Sequence, residues 1–139
     1  TSLDLSGWDM TNVNNMSYMF SYCSSLTTLD LSGCNASRVK NMDSMFDYCS
    51  SIISINLSGW NTTNVSELGR MFRGCSSLTT LDISGWDISS VNTNNMNYMF
   101  YNCKALKTIY MRGCDEGTVN KIKSSLSSDG ISGQVTIIT

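Results

Sequence analysis

The chain contains no proline and no histidine, and only 14% of its 139 residues are charged. Without proline, nothing removes a backbone donor or fixes φ, so every segment is free to join a regular hydrogen-bonded ladder. Without histidine, the commonest general base and a common metal ligand are missing. A net charge of −2 argues against a nucleic-acid partner, whose phosphates ask for a basic face. No apolar run approaches the length of a membrane span, so membrane insertion by this segment is not expected, and no signal peptide opens the chain. G-x-S-x-G, Walker and dinucleotide-glycine motifs are absent too. No catalytic residue and no cofactor is assigned; the chain reads as a protein that is not an enzyme.

What is present is repetition. The phrase NNMSYMFSYCSSLTTLDLSGC, residues 14 to 34, returns as KNMDSMFDYCSSIISINLSGW, residues 40 to 60. Aligning the copies gives a column of Phe20, Phe46, Phe72 and Phe100, and a column of Met19, Met45, Met71 and Met99. A third column is Cys23, Cys49, Cys75 and Cys103, and a fourth is Leu3, Leu29, Ile55, Leu81 and Ile109. The step in the fourth column is 26 residues three times and then 28, because VNTNNM carries two residues more than VNNM. A fixed period in the twenties belongs to leucine-rich and related solenoids. No single unit can bury its apolar face alone, so neighbours must stack. At 41% hydrophobic, the chain has enough apolar side chains for one continuous core.

Within a repeat, Leu26, Leu29, Leu31 and Cys34 fit L-x-x-L-x-L-x-x-[N/C]. Alternation sends Leu29 and Leu31 inward and Thr28, Asp30 and Ser32 outward. The pairs Leu3/Leu5, Ile55/Leu57, Leu81/Ile83 and Ile109/Met111 repeat the split. A Ser-Gly turn follows at Gly7, Gly33, Gly59, Gly85 and Gly113. Val13, Met16, Met19, Phe20 and Cys23 then recur at helical spacing, as do Val39, Met42, Met45, Phe46 and Cys49. Asp9, Asn35, Asn61, Asp87 and Asp115 precede these stripes and suit turn and helix caps. After Cys114, the apolar positions Val119, Ile122 and Leu126 predict a longer helix, and QVTIIT a closing strand. The expected fold is an α/β solenoid, a leucine-rich-repeat-like right-handed coil of about five repeats, with a parallel sheet on one face and short helices on the other. Residues 1–114 form the solenoid and residues 115–139 a capping helix and strand. Because Thr1 lies almost inside a strand phrase, the solenoid is expected to be part of a longer array, with neighbouring repeats of the same protein as contacts.

The phrases NMSYMFSYCSSLTTLDLSG and GWNTTNV resemble the BspA-like leucine-rich repeat surface proteins, over roughly residues 3 to 114. The resemblance implies exposure at a cell surface or secretion, and adhesion to a protein or glycan ligand on host or partner cells. It carries no shared catalytic residues. The chain departs from the commonest phrase at Cys34 and Cys114, which stand where Trp8, Trp60 and Trp86 stand in other repeats, and at Arg70 and Arg73.

The candidate binding face is the outward strand column Asp4, Asp30, Asn56, Asp82 and Tyr110, with Arg112 and Ser6, Ser32, Ser58 and Ser84 beside it. Carboxylates stacked at strand spacing are expected to repel and to raise one another's pKa. Ca²⁺ favours oxygen ligands, but a flat row makes a poor cage. The plainer reading of the column is a solvated polar sheet. The six Cys lack C-x-x-C spacing and histidine partners, so buried free thiols are expected in place of a zinc site. Equivalent Cys on adjacent coils are close enough for disulfides to remain the alternative. The three Trp are expected in the core, with sugar stacking as the alternative reading. Arg38, Lys40, Arg70 and Arg73 form one basic cluster, read as either a contact patch or a solvated face. The N-x-[ST] matches, such as Asn61-Thr-Thr, carry weight only in a secreting eukaryote.

Overall fold

The strand phrases bury alternate side chains, as at Leu29 and Leu31 or Ile55 and Leu57, and leave those between them at least partly open. The computed structural model describes Leu3, Leu5 and residues 8–139. Asp4, Ser6 and Gly7 of the sequence reading lie outside the described residues, as does most of the strand expected around Leu3. The described residues include five three-residue strands: β1 (Thr28–Asp30), β2 (Ser54–Asn56), β3 (Thr80–Asp82), β4 (Thr108–Tyr110) and β5 (Thr136–Ile138). They form one open parallel sheet in chain order. Leu29, Ile55, Leu81, Ile109 and Ile137 stand side by side in its register. The first four are buried. The arrangement is a solenoid-like α/β fold with few helices.

Among the described residues, the short helices expected in the repeats are absent, apart from a single 3₁₀ turn at Thr93–Met96 in the last one. Residues 17–22, 43–48, 69–74 and 97–102 are runs of consecutive turns. The reason lies in where the amides go. Met16, Tyr18, Phe20 and Tyr22 donate their N–H groups to Asn41, Asp43, Met45 and Asp47 of the next coil. The intervening Met19, Ser21 and Cys23 donate three residues back, to Met16, Tyr18 and Phe20. An α-helix needs every amide for its own chain, so a segment that gives alternate amides to a neighbour cannot be one. The next coil repeats the scheme: Met42, Ser44, Phe46 and Tyr48 donate to Glu67, Gly69, Met71 and Arg73. The backbone reaches this geometry through left-handed residues, among them Tyr18, Tyr22, Ser44, Tyr48, Arg70, Tyr98 and Asn102, with φ between 54° and 64°. Such a conformation costs about 1–2 kcal/mol for a residue with a Cβ, offset here by the inter-coil bonds. Gly74 takes the same position with φ 73°, and a Cβ there would stand 2.6 Å from the ring of Tyr48.

Past the first coil the inward stripe is as expected; in the first, Val13 and Met19 are half-buried and Cys23 is exposed. Val39, Met42, Met45, Phe46 and Cys49 are all buried. Phe20, Phe46, Phe72 and Phe100 stack face to face with centroids 5.4, 5.7 and 5.7 Å apart. A run of three- and four-residue turns and a helix place side chains at nearly the same spacing, so the pattern cannot tell them apart. The one α-helix among the described residues, α1 (Glu116–Ser128), begins at Asp115, whose side chain accepts the Thr118 N–H at 2.7 Å.

Phe46→Ala is expected to destabilise the chain by about 3–5 kcal/mol through the cavity it opens between two rings; urea denaturation measures this. Gly74→Ala should also destabilise, through its positive φ and the Tyr48 ring. Part of that loss should disappear in Gly74→Ala/Tyr48→Ala, where only the backbone strain remains.

Candidate functional site

The parallel register sets the outward column as a row. Asp30, Asn56, Asp82 and Tyr110 are Cα partners across β1 to β4, at the roughly 4.8 Å spacing of neighbouring strands. Together with Thr28, Ser54 and Thr80 they line an open, shallow depression of about 280 Å³. Arg112 lies over the Tyr110 ring, 4.6 Å from its centroid, and Arg112 N–H donates to Ser84 Oγ at 3.1 Å. Four of the six expected site residues therefore share one row, and Arg112 flanks it.

The electrostatics of the row differ from the expectation. Asp30 is held below the ordinary carboxylate range because it accepts the backbone N–H of Ser32, at 2.9 Å. Asn56 and Asp82 accept the N–H groups of Ser58 and Ser84 in the same way, at 3.1 and 2.9 Å. Each outward Asx thus pins the Ser-Gly turn that follows its strand. Asn56 between the two Asp separates their charges. The column shapes the fold as well as facing outward, which the alternation alone did not reveal. The second Asx column behaves as expected: Asp9, Asn35, Asn61 and Asp87 accept from Thr11, Ser37, Thr63 and Ser89.

The Trp column is split. Trp60 and Trp86 are buried, and their indoles donate to the carbonyls of Leu31 and Leu57 in the preceding coil, at 2.7 and 3.0 Å. Cys114 puts its thiol on the matching carbonyl of Ile83 at 3.4 Å. Trp8 is 51% exposed, against the core placement expected for it. All six Cys are free. Cys49, Cys75 and Cys103 are buried, each donating to the carbonyl of Phe20, Phe46 or Phe72, whereas Cys23 in the first coil is exposed. Burial pushes the Cys49 and Cys103 thiols up to about 12 and Cys75 well above its ordinary value. Two arginines of the basic cluster are paired. Arg73 grips the buried Asp47 with two bonds of 2.8 and 2.6 Å, and Arg70 reaches Asp43 at 3.0 Å. The guanidinium of Arg73 also lies 5.1 Å from the centre of the Tyr48 ring.

Sequence reasoning missed the residues that close the last coil. Phe100 has no further coil to receive its amide, and the Asp129 carboxylate accepts it at 2.8 Å. Burial raises the Asp129 pKa. Gln134 donates to the carbonyls of Cys103, Lys104 and Leu106. Lys121 donates to those of Ile88, Ser89 and Val91. The Thr118 hydroxyl accepts the Ile88 amide. Their signal was faint, since each is a single polar residue in a segment with no repeat to compare. Among the described residues, no three carboxylate or thiol groups converge as a metal would require, and no helix is long and apolar enough to cross a membrane.

A family model described as "Mycoplasma protein of unknown function, DUF285" matches residues 1–112. It covers four of the five strands and stops short of α1 and β5. No curated protein matches the chain.

The buried thiols set a pH dependence. In the unfolded chain they ionise near about 8.5, whereas Cys49 and Cys103 keep their protons to about 12 when folded. The unfolded state therefore binds fewer protons across that window, and stability is expected to fall as pH rises through it. Below about 8.5 both states are protonated and these groups add no pH dependence. Denaturation at successive alkaline pH values, with Cys49→Ala alongside, measures the slope. In the native chain at neutral pH, Cys23 should alkylate well before Cys49, Cys75 and Cys103, as peptide mass mapping would show.

Proposed function

The chain belongs to the DUF285 family, and from that premise we propose that it is a BspA-like surface module. It recognises a host or partner macromolecule, without catalysis, through the outward face of its sheet. We take the solenoid to be a right-handed coil of about five repeats, with residues 115–139 as its cap and the whole displayed on a cell surface or secreted. What supports the binding reading is the row of Asp30, Asn56, Asp82 and Tyr110 at the mouth of one open depression. Two carboxylates, an amide and a phenol favour a partner that offers hydrogen-bond donors. Arg112 at the edge adds a cationic contact and stiffens the Tyr110 ring.

A second reading has its own observation. Asp30 and Asp82 already serve the Ser32 and Ser84 amides, which is what a structural spacer would need of them. The variants that separate the two are Asp30→Asn and Asp82→Asn. Asparagine keeps the turn bond, as Asn56 does, and removes only the charge.

The purified chain is to be screened against arrays of matrix proteins and glycans, with and without Ca²⁺. Capture is expected to weaken at least about 10-fold in Asp30→Asn/Asp82→Asn and in Tyr110→Ala, with melting temperatures close to the parent. Capture that these variants leave intact, or no capture by the folded chain, would favour the spacer.

A further inference from the structure

The last repeat differs from the others in two ways, and the two meet in one place. Its loop carries the inserted residues, which form a single 3₁₀ turn at Thr93–Met96. Where another coil would follow, α1 packs instead. Between that turn and α1 lies a cleft of about 350 Å³, within the range of small-molecule sites. It belongs to neither the sheet face nor the matched family region alone.

Polar and apolar surface share the cleft about equally. Ser124, Ser125 and Ser128 line it from α1, and Asn97 and Tyr98 line it from the loop. Its two charges are Lys121 and Asp129, which sum to zero. Lys121 gives its ammonium protons to three carbonyls, so it has none left for an incoming anion. Asp129 accepts the Phe100 amide through one oxygen. It is the single carboxylate in the lining, which is too few for a cation cage. Tyr98 is 59% exposed and offers an aromatic surface at the rim.

Ser125 sets this cleft apart from a mere seam. It is only 8% exposed, and its hydroxyl is the one buried side-chain polar atom, among the described residues, that has no hydrogen-bond partner. A buried unpaired hydroxyl costs about 1–3 kcal/mol. Alanine would fill the same helical position without that cost and with better helix propensity. The hydroxyl has no exposed surface in this conformation, and one χ1 step between staggered wells turns a serine oxygen to a new direction. We propose that this cleft binds a neutral polyhydroxylated ligand of about monosaccharide size, with the Ser125 hydroxyl turning to meet a ligand oxygen on its floor. Hydroxyls that both donate and accept match the serines, Asn97 and Asp129. The apolar face of a sugar ring matches Tyr98. A net-neutral lining selects neither an anion nor a cation.

The test uses the whole chain and methyl glycosides of glucose, galactose, mannose and N-acetylglucosamine, each offered up to about 20 mM, a range that detects millimolar affinity. Amide NMR shifts are expected for at least one glycoside, clustered at Asn97, Tyr98 and residues 124–129. Ser125→Ala should melt at the same temperature as the parent, or higher, yet bind at least about 10-fold more weakly. Tyr98→Ala should weaken binding likewise. Tyr110→Ala, on the sheet, should leave this binding unchanged, so failure of the sheet-face reading and failure of this one are separable. The proposal is overturned if no glycoside shifts those amides, if binding survives both cleft variants, or if Ser125→Ala melts lower than the parent.

Discussion

Alternate backbone amides bond from one coil to the next, and the rest of the molecule follows from this. At Met16, Tyr18, Phe20 and Tyr22, and at their equivalents in the next two coils, the N–H leaves the local turn for a carbonyl of the neighbouring coil. On the opposite side the strands do the same through the parallel sheet. Two ladders therefore hold each coil at a fixed height above the last. Equivalent residues must then stack directly over one another, and a side chain that packs well on itself is favoured in every copy.

The columns show this. Four phenylalanines stack almost parallel through the middle. Each buried Cys of the next column puts its thiol on a Phe carbonyl one coil back. Each buried Trp reaches a strand carbonyl one coil back. The same rule creates a problem at the end of the stack, where amides and carbonyls have no next coil. Asp129, Gln134, Lys121 and Thr118 stand in for the missing backbone. Substituting side chains for a coil is also what opens the cleft beneath Thr93–Met96, because a helix does not fill the space a coil would.

Two surfaces thus arise from one construction principle. The sheet presents a repeated polar row whose members double as turn anchors, so its charge and its fold are coupled. The cleft sits where repetition stops, between the Thr93–Met96 turn and α1. Recognition of a large partner suits the former, which is flat and extended. Recognition of a small one suits the latter, a partly open cleft beside an unpartnered buried hydroxyl.

Much of this was legible in the residues. The spacing from Phe20 to Phe46 to Phe72 determined that the chain stacks. The alternation around Leu29 and Ile55 determined a parallel sheet and which side chains face out. Asp9, Asn35, Asn61 and Asp87 marked the turns, because an Asx oxygen reaches only two or three residues along its own chain. What tertiary structure decided was every question of which neighbour a group chooses. The stripe Val39, Met42, Met45, Phe46 and Cys49 has one spacing for a helix and for a run of turns, and only the adjacent coil, by taking alternate amides, selects the turns. Trp8 and Trp86 occupy the same place in the repeat, yet one is exposed and the other buried, because burial requires a carbonyl and a packing surface one coil away. Local hydrogen bonds and apolar periodicity are written along the chain; the partner supplied by a neighbouring coil exists only once the chain has folded.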